Sequence, residues 1–406
     1  MQDLVSARPE EVGLSSARLA HVEAWAQRLV DEGKLPGVLT LVARRGRVAH
    51  LHVCGQADLA RGVPLGADTI FRIYSMTKPL TSVALMMLYE EGRFQLDDPV
   101  ARFLPCFANM RVFTGGSRFK FDTAPAERDI TIRDLLTHTA GLTYGFIDAH
   151  PVDAMYREQG VDFQTSMDTL AEVVERAARL PLIAQPGRAW NYSIASDVLG
   201  HLIAVISGQS FEAFLQERVL GPLGMDDTGF HVPAGKLSRF AALYTPGPEG
   251  LRLMDDPQQS IFAVQRPIAS GGGGLVSTVA DYLTFCRLML NEGELDGVRL
   301  LGRKTMELMT SNHLGGDMAD LGTPRFSEST YAGIGFGLGF SVMLDPAKAQ
   351  IVGTPGEYAW GGAASTSFWI DPQEDMAVIL LTQLFPSSTY PIRRELRVLT
   401  YAAITD

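Results

Sequence analysis

Cysteine is scarce in this 406-residue chain, and its arrangement excludes whole classes of site. The three cysteines, Cys54, Cys106 and Cys286, are widely separated and odd in number, and no Cys-x-x-Cys pair occurs. A disulfide framework and a cysteine-ligated zinc site are therefore both disfavoured. No His-Glu-x-x-His is present, and His50 and His52 have no acidic residue beside them in the sequence. We expect neither a metal nor any other cofactor.

Positive charge and long apolar runs are also lacking. The 35 Lys and Arg residues against 46 Asp and Glu residues give a formal net charge of −11, which disfavours binding to nucleic acid or to an anionic membrane. No apolar run approaches the length of a membrane span, and the N-terminus lacks the charged-then-apolar order of a signal peptide. We expect a cytoplasmic protein without nucleic-acid or membrane partners.

Two motifs that would specify other chemistries are missing. No Gly-x-Ser-x-Gly occurs, so the chain lacks the nucleophile elbow of the α/β-hydrolases. The glycine run at residues 271–274 is not followed by Lys-Ser or Lys-Thr, which argues against a phosphate loop. Thr278 and Asp281 behind it have the spacing of a helix cap and predict a helix to about Asn291. We interpret the glycines as a place of close backbone packing.

The chain does contain a serine and a lysine three residues apart, at the start of a predicted apolar helix. Ser75 and Lys78 precede the largely apolar residues 80–91, and Gly92 follows them. On a helix that begins near Ser75, the two side chains share one face, about 5–6 Å apart at Cβ. A lysine activates a serine only as the neutral amine. The pKa of Lys78 would therefore have to fall from about 10.4 to about 7, through burial or a nearby positive charge.

Two other residues compete for a catalytic role. Ser117 and Lys120 repeat the Ser-x-x-Lys spacing, but they lie in a polar stretch with no apolar helix behind it. We predict irregular surface over residues 109–129 and no activity for this copy. His138 lies in a short helix that the pattern predicts to end at Gly141. We interpret its Thr-His-Thr sequence as a turn held by local hydrogen bonds rather than as a proton-transfer site.

The predicted strands lie at the two ends of the chain, with helices between them. We predict a helix over residues 16–32 and a hairpin of residues 38–43 and 48–53. Near the other end we predict strands over residues 337–342, 365–370 and 376–381, and a closing helix over 393–403. One sheet built from both termini would then carry a helical insertion. We expect residues 1–74 and 285–406 to form an α/β lobe and residues 75–284 a mostly helical lobe, with the active site between them.

Several short motifs occur together along nearly the whole chain. They are Ser75-Met76-Thr77-Lys78, Tyr192-Ser193 with Asp197-Val198-Leu199-Gly200, Trp360-Gly361-Gly362 near the start of a late predicted strand, the stretch from Leu135 to Leu142, and the run from Gly271 to Leu275. This combination resembles the serine β-lactamase and penicillin-binding protein superfamily, and within it the carboxylesterases of family VIII. The resemblance implies an α+β fold with an antiparallel sheet flanked by helices, plus a mostly helical lobe.

The resemblance also implies roles for individual residues. Ser75 is the expected nucleophile, Lys78 its proton acceptor, and Tyr192 the group that passes the proton to and from the leaving oxygen. The backbone N–H groups of Ser75 and Ala363 are the expected oxyanion hole. The residues expected to contact substrate are Trp360, Gly361, Gly362 and Ile194.

Two positions depart from the β-lactamase pattern and bear on the substrate. Ile194 stands where classical β-lactamases have an asparagine, and Trp360 stands where they have a lysine. The pair Lys304-Thr305 is followed by Met306 in a helical context and cannot replace the missing lysine motif. These departures favour a serine esterase acting on short-chain or small neutral esters. A β-lactamase or DD-peptidase, an acyltransferase, and a non-catalytic binding protein of the same fold are the alternatives.

Overall fold

The chain folds around an antiparallel sheet whose strands come from both ends of the sequence. The computed structural model describes residues 4–324 and 327–406. Within them the main sheet has eight strands, and every neighbouring pair is antiparallel. In spatial order the strands are Ile334–Phe336 (β12), Ser341–Met343 (β13), Tyr358–Gly361 (β14), Ser367–Asp371 (β15), Met376–Leu381 (β16), Gly37–Arg44 (β1), Arg47–Asp58 (β2) and Val63–Pro64 (β3).

Helices and short hairpins make up most of the chain between those two groups of strands. The smaller strand pairs are Phe71–Arg72 (β4) with Val276–Ser277 (β9), Arg111–Gly116 (β5) with Phe121–Pro125 (β6), Leu243–Gly247 (β7) with Gly250–Asp255 (β8), and Glu294–Leu295 (β10) with Val298–Arg299 (β11). The α-helices are Ser16–Asp31 (α1), Thr77–Glu90 (α2), Ile132–Leu136 (α3), Pro151–Glu158 (α4), Leu170–Ala178 (α5), Ala195–Ser207 (α6), Phe211–Leu215 (α7), Val279–Leu290 (α8), Arg303–Met309 (α9), Met318–Leu321 (α10), Pro346–Ala349 (α11) and Ile392–Tyr401 (α12).

Both faces of the central strands are buried, which explains their continuous apolar sequences. In β16, Ile379 packs into the larger core with α2 and α8, whereas Val378 packs into a second core with α1 and α12. The same alternation holds in β1, where Leu41 faces the first core and Val42 the second. Burying each such side chain contributes about 1.5–3 kcal/mol, so the sheet is a rigid support for the helices that carry the site.

Several predicted elements are confirmed by the structure. The first helix begins after Ser15, whose side chain accepts a hydrogen bond from the Arg18 N–H, and Thr278 caps α8 in the same way through the Asp281 N–H. The hairpin of β1 and β2, the strand β16 and the closing helix α12 lie where the sequence predicts them. Helix α8 crosses the predicted lobe boundary at residue 285 and packs on β16.

Three predictions about local structure are wrong. Residues 337–342 do not form one strand, because residues 337–340 are the turn that joins β12 to β13. The stretch predicted as irregular surface contains the hairpin of β5 and β6, whose backbone pairing does not depend on the polar side chains. The helix predicted to end at Gly141 ends at Leu136, because His138 already has a left-handed backbone conformation, with φ of 57°.

The longest helix of the described residues, Ser16–Asp31, has 16 residues. No single helix there is long and apolar enough to cross a membrane; the bent pair Ala195–Ser207 and Phe211–Leu220 has the required length and composition only as a pair, with an angle of 84° between its parts.

Over residues 4–324 and 327–406, no three His, Cys, Asp or Glu side chains are grouped so that they could hold a metal ion.

Candidate active site

Ser75 lies in a tight turn immediately before α2. The turn, Tyr74–Met76, is a single 3-10 turn, so the α-helix itself begins at Thr77, two residues later than the sequence predicts. Tyr74 has φ of 42°, a left-handed conformation that costs energy in a residue with a large side chain. The turn is held by its surroundings, because Ile73 N–H donates to Leu275 O at 3.2 Å and the Tyr282 hydroxyl donates to Met76 O at 2.9 Å. Ser75 is thereby presented at a fixed position and is only half-buried.

Lys78 lies one turn further on, and its amine is at the centre of the candidate site. Nζ is 3.3 Å from the Ser75 hydroxyl oxygen and 2.8 Å from that of Tyr192. It is also 3.2 Å from the Tyr144 hydroxyl and 2.6 Å from the carbonyl oxygen of Gly272. The structure therefore brings Ser75, Lys78 and Tyr192 together, as the sequence predicts, and adds two groups that the sequence did not reveal.

Burial sets the protonation state of this amine. The Lys78 side chain is 1% exposed, and its removal from water lowers the pKa of Lys78 to about 7, although the nearby Asp197 carboxylate acts in the opposite direction. A value near 7 means that a large fraction of the amine is neutral at neutral pH. This is the condition that the sequence argument set for a lysine that accepts a proton from serine.

Tyr192 connects the serine to the lysine. Its hydroxyl makes a short hydrogen bond with the Ser75 hydroxyl and lies within hydrogen-bonding distance of Lys78 Nζ. Burial raises the pKa of Tyr192 above its usual value, an effect that the hydrogen bond with Ser75 partly offsets. The side chain is therefore a neutral phenol, which both donates and accepts a hydrogen bond. It lies just before α6, where the sequence places it.

A buried carboxylate holds the glycine and the tyrosine that contact Lys78. Asp197 accepts hydrogen bonds from the Ser270 hydroxyl at 2.6 Å and from the Gly272 N–H at 3.0 Å, and it also bonds to the Tyr144 hydroxyl. A Cβ at Gly272 would lie 2.5 Å from an Asp197 oxygen and 2.7 Å from the Tyr144 oxygen, so only glycine brings its carbonyl to Lys78. The glycine run was thus correctly interpreted as close packing, whereas nothing in the sequence singles out Tyr144.

The turn after β14 lies against the nucleophile's segment. Gly362 N–H donates to Thr366 O at 2.9 Å, and a Cβ at Gly362 would collide with the carbonyl of Ile73. Trp360 and Gly361 are the last two residues of strand β14, and Gly362 follows it, whereas the sequence predicted this motif near the start of a strand. Ala363 follows it and is half-buried, and its N–H has no hydrogen-bond acceptor among the residues that the structure describes.

The two residues that depart from the β-lactamase pattern have different environments. Trp360 is half-buried, with its ring centroid 5.9 Å from that of Tyr192 and 5.3 Å from that of Phe336, so it forms an aromatic wall beside the site. Ile194, in contrast, is fully buried at the N-terminus of α6, where its N–H donates to Thr143 O at 3.2 Å. The expectation that Ile194 contacts substrate is therefore not met in this structure.

The two competing residues lie apart from this constellation. Ser117 occupies the turn between β5 and β6, where its hydroxyl accepts hydrogen bonds from the backbone N–H groups of Phe119 and Lys120. His138 is buried behind Tyr192, with ring centroids 5.4 Å apart, and its Nδ1 lies 3.1 Å from the Ser193 hydroxyl. Burial lowers the pKa of His138 well below its usual value. Its surroundings are those of a packed, hydrogen-bonded histidine.

Comparison with known proteins gives this geometry a context. Residues 22–402 match the family model described as Beta-lactamase. Protein Rv1367c of Mycobacterium tuberculosis (strain ATCC 25618 / H37Rv) is 38% identical over 370 residues, which cover 90% of each chain. Esterase EstB of Burkholderia gladioli is 32% identical over 413 residues, which cover 97% of this chain and 98% of EstB.

A solved structure with a similar fold is that of EstCE1, described as a hydrolase with promiscuous acyltransferase activity. It superimposes with a TM-score of 0.81 and 28% sequence identity, covering 95% of this chain and 98% of EstCE1. The fold predicted from the sequence is therefore confirmed.

Proposed function

Because this chain belongs to the beta-lactamase family and is a serine hydrolase, we propose that it is a carboxylesterase that hydrolyses short-chain or other small neutral esters through an acyl-enzyme on Ser75. The observation that carries the proposal is the hydrogen-bonded set of Ser75, Tyr192 and a buried Lys78 whose pKa is lowered to about 7. The esterase activity named for EstB and the hydrolase activity named for EstCE1 support the reaction class.

The contacts of Lys78 match the hydrogen bonds that a neutral amine makes. Such an amine has two N–H donors and one lone pair. The donors are directed to Gly272 O, at 2.6 Å, and to the Tyr144 oxygen, at 3.2 Å. With the amine neutral, the proposed mechanism has its lone pair accept the O–H of Tyr192, whose oxygen is 2.8 Å away, and has the Tyr192 oxygen accept the Ser75 O–H. Every polar hydrogen in this chain of groups has an acceptor, so the resting site is ready to move a proton from Ser75 towards Lys78.

Acylation follows from this arrangement. As Ser75 Oγ bonds to the ester carbonyl carbon, its proton passes to Tyr192 while the Tyr192 proton passes to Lys78. The N–H groups of Ser75 and Ala363 would stabilise the resulting oxyanion, a contribution typically worth about 3–4 kcal/mol for each donor. The bond to the leaving alkoxide then breaks, and the proton returns through Tyr192 to that oxygen. Water repeats the sequence and releases the acid.

The molecule that accepts the acyl group in the second half of the reaction distinguishes an esterase from an acyltransferase. An alcohol in place of water would make the same acyl-enzyme an acyltransferase, and the activity named for EstCE1 includes both reactions. We propose hydrolysis as the main reaction and acyl transfer as the second.

The lysine pKa predicts the pH dependence of the first half-reaction. Protonated Lys78 has no lone pair, so kcat/KM should be low below pH 7, rise through a midpoint near 7 and then level off, because the pKa of Tyr192 is raised above its usual value. Initial rates between pH 5 and 9 measure this, with circular dichroism checking that the protein stays folded. A profile that is flat across pH 7, or that falls through it, would contradict a neutral lysine as the proton acceptor.

Substrate charge gives a second prediction, which separates the esterase from a β-lactamase. Penicillins and cephalosporins carry a carboxylate, and the lysine that would pair with it is replaced here by Trp360. Burying an unpaired carboxylate costs several kcal/mol, whereas a neutral ester gains apolar contact with an aromatic wall that buries about 150–250 Å² per ring. We expect kcat/KM for p-nitrophenyl butyrate to exceed that for benzylpenicillin at least about 10³-fold, since 1.4 kcal/mol is a factor of ten.

The measurement compares p-nitrophenyl butyrate, benzylpenicillin and nitrocefin on one preparation of the unmodified protein. We expect weak turnover of nitrocefin and still weaker turnover of benzylpenicillin. Equal or greater efficiency on either lactam would make the protein a β-lactamase and would show that Trp360 does not exclude the carboxylate.

A further inference from the structure

One arginine from the last helix lies directly under the turn that carries Ala363. Arg393 is the second residue of α12, and its Nη2 donates to Gly362 O at 2.8 Å and to Thr366 O at 3.0 Å. A Cβ at Gly361 would lie 2.8 Å from the Arg393 Cζ, so the guanidinium packs against the backbone of the turn. These contacts join a residue near the end of the chain to the segment beside Ser75.

Because the peptide bond is planar, the contact with the Gly362 carbonyl also determines the direction of the Ala363 N–H. The Gly362 carbonyl and the Ala363 N–H belong to one trans peptide, so they point in opposite directions. A donor that fixes the carbonyl therefore fixes the N–H. Ser365 N–H also donates to Gly362 O, at 3.2 Å, so this oxygen is held from two sides while the N–H on the other side of the peptide stays free of acceptors among the described residues.

The guanidinium suits this task because of its charge and shape. A charged donor makes hydrogen bonds roughly twice as strong as a neutral one. The two N–H groups of its Nη2 donate to the carbonyls of Gly362 and Thr366 together. Thr366 O also accepts the Gly362 N–H at 2.9 Å, so Arg393 joins the two ends of the same turn and restricts its rotation.

We propose that Arg393 is a positioning residue for the oxyanion hole, holding the Gly362–Ala363 peptide so that the Ala363 N–H faces the carbonyl oxygen of the reacting ester. This inference rests on the proposed esterase function. Arg393 does not touch the reacting atoms in this account; it acts through the peptide it holds. Its loss should therefore weaken stabilisation of the tetrahedral oxyanion and leave binding of the uncharged substrate nearly unchanged.

The adjacent arginine is a matched control. Arg394 has the same chemistry and lies on the same helix, but its guanidinium donates to Glu328 O at 3.2 Å and to Gln350 O at 2.8 Å. It makes no hydrogen bond to the turn of residues 361–366 among the contacts that the structure describes.

The test compares Arg393→Ala, Arg393→Lys and Arg394→Ala with the unmodified protein, using p-nitrophenyl butyrate. For Arg393→Ala we expect kcat to fall about 10²–10³-fold, the loss typical of one oxyanion donor, with KM within about threefold, the pattern for an interaction made only in the transition state. Arg393→Lys should lie between this variant and the unmodified protein, because it keeps a cation but not the planar guanidinium that packs against the turn. Arg394→Ala should retain kcat within about twofold.

The affinities of two inhibitors distinguish a positioning role from a purely structural one. A trifluoromethyl ketone forms a bond between its carbonyl carbon and the Ser75 oxygen and becomes an oxyanion, while the Ser75 proton passes through Tyr192 to Lys78. The matching methyl ketone binds mainly as the uncharged ketone. In Arg393→Ala the first inhibitor should lose affinity about as much as kcat falls, and the second should not. Millimolar guanidinium ion in solution should restore part of kcat in Arg393→Ala and none in a Ser75→Ala protein.

Three results would overturn the inference. They are an unchanged kcat in Arg393→Ala, a loss confined to KM, and a loss shared equally by Arg394→Ala. Thermal melting of each variant reports whether it is folded. Arg393→Lys keeps a positive charge in the same space, so it repeats the comparison with less disturbance of the packing. If the unmodified protein hydrolyses no ester, the proposed function itself falls; if it does and Arg393→Ala matches it, only the positioning role falls.

Discussion

Replacing Ser75 with alanine should abolish ester hydrolysis, with kcat reduced by at least about 10⁴-fold, as expected when the nucleophile of an acyl-enzyme mechanism is removed. The reason is specific to this serine. Its hydroxyl is hydrogen-bonded to Tyr192 and lies 3.3 Å from Lys78 Nζ, so its proton has a path through Tyr192 to the amine. The measurement is the steady-state rate on p-nitrophenyl butyrate.

Ser117→Ala is the matched control for this change. Ser117 has the same spacing to a lysine, but its hydroxyl accepts backbone N–H groups in the turn between β5 and β6 and makes no described contact with the amine of Lys120. This variant should keep its rate within about twofold, as surface substitutions usually do. Comparable losses in Ser75→Ala and Ser117→Ala would mean that neither serine is the nucleophile.

The second large effect concerns the groups that move the proton. Lys78→Met and Tyr192→Phe should each lower kcat by about 10²–10⁴-fold, the usual contribution of a positioned acid or base. Methionine preserves the apolar volume of Lys78 but removes the lone pair, and phenylalanine preserves the Tyr192 ring while removing the hydroxyl that links serine to lysine. Both changes are read as kcat on p-nitrophenyl butyrate, with KM recorded alongside.

Lys304→Met provides the control for loss of a lysine. Lys304 lies on α9, its side chain is 76% exposed, and its amine pairs with Glu307. Its replacement should leave kcat unchanged within about twofold, because an exposed ion pair contributes little. A Tyr192→Phe protein that turns over at the normal rate would remove tyrosine from the proton path and leave Lys78 to act directly on Ser75 across 3.3 Å.

The fold was most predictable where each local pattern had one physical interpretation. Strand β16 lies where the sequence predicts it, because six successive apolar residues buried on both faces form a strand of that length. Residues 337–342 misled the prediction, because glycines alternating with apolar residues fit either a strand or a turn. Helix α3 ended early for a reason invisible in periodicity, since His138 has a left-handed backbone conformation and its ring packs against that of Tyr192.

In the candidate site, the contact between residues close in sequence was predictable, whereas contacts between distant residues were not. Ser75 and Lys78 are one helical turn apart, so spacing alone predicts their meeting. Tyr144 and Gly272 reach the same amine from 66 and 194 residues further along the chain. Arg393 reaches the carbonyl of Gly362 from 31 residues away. No periodicity connects such positions, so only the folded chain shows that a tyrosine hydroxyl and a glycine carbonyl contact the amine and that an arginine contacts the turn after β14.

The most direct test of the central claim is to identify the residue that a fluorophosphonate labels. Such a probe bonds its phosphorus to an activated serine oxygen and expels fluoride, leaving a stable adduct that peptide mass spectrometry can locate. The account predicts a single adduct on the peptide that contains Ser75, formed at the rate at which ester hydrolysis disappears. Activity that persists without an adduct on Ser75, or that is lost while the adduct lies on another residue, would contradict it.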